Sequence, residues 1–160
     1  MGEHVVRRSA RAILLDGDDL VLIKRTRPGS DPYWVTIGGG QEADDVRLED
    51  TVQREAMEEA GAVIDVVMQV LVLTDEAPGG GIAVQHIFLA TLVEMDPSRR
   101  TGSEFTKPER GTYDLDRVPF TSRGLAGVDL RPPALASYLH ANWTGLAASR
   151  HIDALKPRAN

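Results

Sequence analysis

The 160-residue chain contains no cysteine. Disulfides, thiolate nucleophiles and cysteine-ligated metals are therefore excluded, and the composition fits a reducing compartment. Aromatic residues are scarce at 5%, so aliphatic side chains and alanine must fill the core. Cationic residues fall short of acidic ones, 18 against 24, for a formal net charge of -6. Gripping polymeric nucleic acid needs a basic footprint, which this balance denies. A small phosphorylated ligand stays compatible provided that a cation screens the acids. Long apolar runs are missing too. The most apolar stretch, "VVMQVLVL" at 66–73, is too short to span a bilayer, and the N-terminus lacks the apolar core of a signal peptide. Val6 stands where a myristoylation motif needs Ser or Thr. These absences point away from a membrane and towards a cytoplasmic protein.

What is present reads as one folded domain over 1–160, with 42% hydrophobic and 26% charged residues and neither repeat nor linker. "VVRRSARAILLD" (5–16) predicts a strand, "DGDD" a turn, and "LVLIKRTR" (20–27) its hairpin partner. A short extended piece, "YWVTI" (33–37), precedes Gly38, Gly39 and Gly40, which predict a loop. A helix is expected over 48–60, stopped by Gly61. Two long strands, 62–75 and 82–96, flank the turn "EAPGGG". An irregular polar loop (97–111), one more strand and a C-terminal helix beginning at a proline complete the chain. Dominant strands with one central and one terminal helix predict an α/β fold with a mixed sheet between helices.

The central helix carries the most informative cluster, "REAMEEAG" at 54–61. Residues advance about 100° each around a helix, so Glu55, Glu58 and Glu59 share an arc roughly 100° wide. Val52, Ala56, Ala60 and Val63 fall in the adjoining arc, which suits a sheet. Arg54 stands four residues before Glu58 and is placed to pair with it. A solvated charged face would produce such a pattern as well. The neighbouring glycines favour a second reading, since hard divalent cations take several oxygen ligands and glycine lets backbone approach closely. Without positive charge between them, the crowded acids would push one carboxyl towards its protonated form.

"WVTIGGGQEADDVRLEDTVQREAMEEAGA" resembles the Nudix box, which runs G, five residues, E, seven residues, then REUXEEXGU with U a bulky aliphatic. Arg54, Glu55, Glu58, Glu59 and Gly61 match the second half, and Gly38, Gly39 and Glu42 match the first. Ile37 replaces the usual proline, Asp44 a common glycine and Asp45 the first box glutamate; Ala56 and Ala62 are small for U positions. Eight residues instead of seven separate Asp45 from Arg54. The resemblance covers 29 residues by motif and implies the family's α/β/α sandwich with a mixed central β-sheet.

It further implies a hydrolase that cleaves the pyrophosphate linkage of a nucleoside diphosphate joined to another moiety. Glu55, Glu58 and Glu59 would then hold Mg²⁺ or Mn²⁺, with the Gly38 carbonyl beside them and Glu42 and Asp45 as secondary candidates. Arg54 would orient a box glutamate. The base that accepts the proton of the attacking water is Glu55 in some relatives and a distant loop residue in others. Here that loop offers Glu109, just before a strand, and Glu104. Arg25 and Arg27 are candidates for gripping a terminal phosphate, or ordinary charges at a strand end. Trp34 and Tyr113 would stack on a base or pack against the sheet. His86, inside an apolar strand, reads as a satisfied core residue and not a ligand. The resemblance also implies a small-molecule partner and allows a homodimer. The altered first half of the box leaves a catalytically inactive ligand-sensing or interaction module as the alternative. Isoprenoid diphosphate isomerisation needs, in its common form, a cysteine that this chain lacks.

Overall fold

β1 (Val5–Asp16) and β2 (Asp19–Thr26) form a hairpin whose arms diverge. They pair only at Leu14–Asp16 and Asp19–Val21. The computed structural model describes residues 4–152, apart from the side chains of Ser103 and Glu104. Past the divergence, β1 takes β4 (Ile37–Gly40) at Ser9–Ala12, and β2 takes β3 (Tyr33–Val35) at Ile23–Arg25. The sheet thus splits into two wings, joined at Thr36. β5 (Ala62–Glu76) and β6 (Ile82–Met95) extend one wing, with β6 parallel to β1. β7 (Thr112–Pro119) and β8 (Leu130–Arg131) extend the other. The sheet is mixed, as the sequence implies, and has eight strands among the described residues.

Period-two alternation in β1 sends Ala10, Ala12 and Leu14 to one face and Ile13 and Leu15 to the other. The first face receives α1 (Leu48–Ala60) through Val52, Ala56 and Ala60, all fully buried. Alanines on both surfaces bring helix and sheet close together, which is how a core poor in aromatics is filled. The second face receives α2 (Ser122–Ala126) and α3 (Pro133–Ser149), with Leu135, Leu139 and Leu146 inward. The result is the α/β/α sandwich.

Several expectations need amendment. Gly38–Gly40 lie in strand β4 and not in a loop. A Cβ on Gly38 would fall 2.3 Å from the Ala10 carbonyl oxygen, and its φ is 152°. The glycines are there because β4 presses on β1 closer than a side chain allows. Val63 belongs to β5, beyond the helix stop, and is exposed. The polar loop after β6 contains three single 3₁₀ turns, at Pro97–Arg99, Ser103–Thr106 and Pro108–Arg110. α2 and β8 were not anticipated; the Thr121 hydroxyl, which accepts from the Gly124 amide at 3.0 Å, is the cap that marks α2.

α1 begins and ends where the sequence places it. The Asp50 carboxylate accepts from the Arg47 amide at 2.8 Å. Gly61 adopts φ 60°, and a Cβ there would strike the Asp96 carbonyl. The loop after β6 then secures the helix end. Thr101 and Gly102 amides donate to the Glu58 carbonyl at 3.0 and 3.2 Å, and Arg100 donates to the Glu59 carbonyl at 2.6 Å. These donors satisfy carbonyls that a helix C-terminus leaves open.

Candidate active site

Arg54 leaves the solvent edge of α1 and gathers acids from two segments. It donates to Asp45 through Nε at 3.1 Å and through a terminal nitrogen at 2.9 Å. Its other terminal nitrogen reaches Glu55 at 3.1 Å and Glu58 at 3.2 Å. Glu42 lies 3.6 Å away, and the Gly40 carbonyl accepts at 2.9 Å. Charge-assisted bonds of this kind are the strong ones. They raise the basicity of Arg54 further, with the Asp45 bond the largest cause. Asp45 is only 7% exposed and also accepts from the Thr51 hydroxyl and the Glu42 amide. The Arg54 bond, followed by those smaller contributions and against some desolvation, lowers its pKa to about 2.

The other two glutamates meet backbone. Glu59 accepts from the Gly38 amide at 2.9 Å. Glu55 lies against Gly39 so closely that a Cβ there would come within 2.3 Å of its Oε1. Beneath both passes Arg11, a β1 residue that donates to the Thr36 carbonyl at 3.1 Å. Burial pulls the basicity of Arg11 down, opposed by the fields of Glu59 and Glu55 and assisted by Arg7. Five carboxylates (Glu42, Asp45, Glu55, Glu58, Glu59) thus face two guanidiniums, leaving a negative centre.

A model of the NUDIX domain matches residues 5–123 of the chain. The chain belongs to the NUDIX family. It is a Nudix-type pyrophosphohydrolase. Its fold is similar to a NUDIX hydrolase from Nitrosomonas europaea, at 15% identity and a TM-score of 0.66, covering 87% of this chain and 88% of that one. An ADP compounds hydrolase aligns at 19% identity and a TM-score of 0.63, covering 92% and 77%. A bifunctional NMN adenylyltransferase/ADP ribose pyrophosphatase from Francisella tularensis, complexed with AMP and a Mn ion, aligns at 15% and 0.61, covering 91% and 43%. At these identities the likeness is one of fold. No curated protein matches the sequence.

Within this Nudix chain the departures from the box acquire a physical sense. Asp45 is one methylene shorter than glutamate, and it is turned onto Arg54 and Thr51. The added residue falls between Asp45 and the first turn of α1, leaving the glutamates in register. The donor set is wholly oxygen, which suits Mg²⁺ or Mn²⁺. Its net negative charge suits a cation as well. Among the described residues, however, no three acidic or imidazole side chains are drawn together as metal ligands. Glu55 and Glu58 are turned to Arg54, and Glu59 to the Gly38 amide. The set fits a divalent cation by chemistry and location.

The remaining candidates lie elsewhere. Arg25 is buried, at 8% exposure, and does not occupy an open strand end. It donates to the carbonyls of Thr112 and Arg110 at 3.3 and 2.8 Å and stacks 3.6 Å over Tyr113. Tyr113 receives the edge of Phe105 as well, with centroids 5.7 Å apart. Arg27 is exposed. Trp34 packs into the cluster on the α3 face and donates to Asp116 at 2.8 Å. Glu109 sits exposed in the third 3₁₀ turn and has no side-chain hydrogen bond among the described residues. The Glu104 side chain lies outside the described residues. His86 is half-buried and satisfied, by Gln69 at 3.2 Å and Arg8 at 2.9 Å. Burial first, and Arg8 second, lower its pKa.

Sequence reasoning missed Arg11. The signal was there: one arginine between Ala10 and Ala12, both fully buried, in a strand that otherwise reads as core. A charge in that position needs a partner.

Proposed function

We propose that the chain hydrolyses the pyrophosphate linkage of a nucleoside diphosphate joined to another moiety, with Mg²⁺ or Mn²⁺ held by Glu55, Glu58 and Glu59. Supporting this is above all the Arg54 guanidinium, which ties Asp45, Glu55 and Glu58 to one point beside the glycine strand. The ADP-directed neighbours, one of them holding AMP and a Mn ion, agree with a nucleotide substrate and a divalent cofactor. A bound ion would neutralise non-bridging phosphate oxygens and acidify the attacking water.

The protein's own groups then have separable tasks. Arg54 orients the Glu55 and Glu58 carboxylates through its hydrogen bonds to both. Gly38 fixes Glu59 through its amide, and Gly39 leaves room for Glu55. Arg11 sits below the acids as a cation able to receive a phosphate oxygen. Glu55 is the nearer base for the water proton. Glu109 serves that role only if its 3₁₀ turn approaches a bound substrate. The reading extends to the whole chain as one domain, because β8 extends and α2 and α3 cover the same sheet that carries the box. No helix among the described residues is long and apolar enough to cross a membrane. A cytoplasmic location belongs to this reading, which also allows a homodimer.

A panel of nucleoside diphosphate derivatives, assayed with and without Mg²⁺ and with product identification, tests it. Metal-dependent release of two phosphorylated products is expected. Ligand binding without turnover under all metals would support the sensing module instead.

A further inference from the structure

Glu58 and Glu59 stand in the last turn of α1, where a helix presents open carbonyls and the negative end of its dipole. Carboxylates are unfavourable at that end, and the turn has no basic residue of its own. Resting on the reading of Glu55, Glu58 and Glu59 as metal ligands, we propose that Arg100 is a positioning residue of that centre. By clamping the end of α1 it holds Glu58 and Glu59 where a divalent cation can be shared with Glu55.

Arg100 comes from the loop after β6. Its Nε donates to the Glu59 carbonyl at 2.6 Å, and a terminal nitrogen donates to the Tyr113 carbonyl at 2.7 Å. One guanidinium therefore joins the backbone of a ligand residue to the start of β7. Beside it, the Thr101 and Gly102 amides donate to the Glu58 carbonyl at 3.0 and 3.2 Å. The helix's own cap, the Gly61 amide, reaches only as far as the carbonyls of Ala56 and Met57. What covers the next two carbonyls is the loop, and the donor on Glu59 is a charged one, of the stronger kind.

The clamp is itself held. Arg100 is half-buried and lies 3.9 Å over the Phe105 ring, which meets Tyr113 edge-on at 5.7 Å. Arg25 stacks on Tyr113 at 3.6 Å and bonds the Thr112 and Arg110 carbonyls. The loop is thus fastened to α1 at one end and to β2 at the other. Helix ends fray. Fraying here would carry Glu58 and Glu59 away from Glu55 and Arg54 with their charges intact. Arg99 is the contrast: it is exposed and turned to Glu94 and Asp96, at 3.1 and 3.6 Å.

Mn²⁺ binding tests this without turnover. Mn²⁺ is titrated calorimetrically into the full chain and into Arg100→Met, Arg100→Lys and Arg99→Met, at a temperature where melts show each one folded. Arg100→Met should bind Mn²⁺ about 10- to 100-fold more weakly, the range for groups that orient metal ligands. Arg100→Lys restores the charge at the helix end without the fork that spans two carbonyls, and should recover part of the loss. Arg99→Met should stay within about twofold of wild type, since surface ion pairs contribute little. Coupling is reciprocal, so saturating Mn²⁺ should slow hydrogen exchange at the Thr101 and Gly102 amides of the wild-type chain about tenfold, with the β5–β6 turn unchanged. Equal Mn²⁺ affinity in wild type and Arg100→Met overturns the proposal, as does an equal loss in Arg99→Met. Exchange at Thr101 and Gly102 indifferent to Mn²⁺ overturns it too, and decides alone if Arg100→Met does not fold. In each of these cases a Glu58→Gln chain with weakened Mn²⁺ binding would leave the metal reading standing. A wild-type chain that binds no Mn²⁺ would remove both.

Discussion

Arg54 grips Asp45 through two nitrogens, at 3.1 and 2.9 Å, and the partner is an aspartate where the Nudix box has glutamate. The shorter side chain is reached because the segment before α1 folds back on itself, with the Asp45 amide donating to the Glu42 carbonyl at 3.0 Å. Asp45 is thereby spent on positioning Arg54, and Arg54 in turn holds the helix glutamates.

That pairing makes stability depend on acid. The Asp45 pKa, about 2 in the folded chain against 3.8 ordinarily, is depressed. A depressed carboxyl contributes stability that is fully present above pH 4 or so and lost as pH falls towards 2. Asp45→Asn should cost roughly 1–2 kcal/mol near neutrality, less than full linkage because Arg54 is 21% exposed. The difference between variant and wild type should shrink between about pH 4 and pH 2. Urea midpoints across that range measure it; a gap that stays constant would mean that the carboxylate charge is not involved.

Arg54→Lys keeps the charge and loses the fork. A lysine ammonium has no planar pair of donors for Asp45 and a third direction for Glu55 and Glu58. The expected result is a 10- to 100-fold lower kcat, the range found when a group that orients metal ligands is removed, with a smaller change in KM. Steady-state kinetics on whichever nucleotide diphosphate the panel identifies will check it. Equal losses in kcat for Arg54→Lys and Arg54→Met would show that the charge contributes nothing without the geometry.

Much of this was legible in the sequence because it is local. The bounds of α1, its stop at Gly61 and the shared arc of three glutamates follow from a period of 3.6 and from one residue at positive φ. What escaped is long-range. Arg11 comes within the fields of Glu59 and Glu55 through the pairing of β1 with β4, which sets Arg11 opposite Gly38. The Arg100 contact with the Glu59 carbonyl joins positions 41 apart in sequence. Arg25 reads as a phosphate grip or an ordinary strand-end charge, and Trp34 as stacking on a base or packing on the sheet, since nothing local reveals that β7 runs beside β2 and supplies Thr112 and Asp116 as partners.

Glu58→Gln and Glu59→Gln separate charge from shape in the metal reading. Each keeps the side-chain volume and removes a formal ligand charge. Both should raise the Mg²⁺ or Mn²⁺ concentration needed for half-maximal activity and lower kcat by 100-fold or so, a loss on the order of 3 kcal/mol in transition-state stabilisation. Glu58 is more than a third exposed, so its change should hardly affect folding. Calorimetric titration of Mn²⁺ into each variant provides a reading that needs no substrate. Undiminished Mn²⁺ affinity in both would place the ion elsewhere.

Gly38 and Gly39 are adjacent, and adding one methyl to each should have opposite consequences. At Gly38 the new Cβ meets the Ala10 carbonyl at 2.3 Å and the Arg11 Cα at 2.6 Å, at φ 152°, so backbone must move. Gly38→Ala should therefore destabilise the fold by about 2 kcal/mol or more, as strained backbone and overpacking do. At Gly39 the obstruction is the Glu55 carboxylate, the far end of a flexible side chain, at 2.3 Å. Glu55 can swing away at little cost to folding, and its oxygens would then leave the position that Arg54 and Gly39 define. Gly39→Ala should consequently melt within a few degrees of wild type while losing most of its turnover. Thermal melts beside initial rates decide the matter. If Gly39→Ala kept full activity, the placement of Glu55 against the glycine strand would be incidental to catalysis.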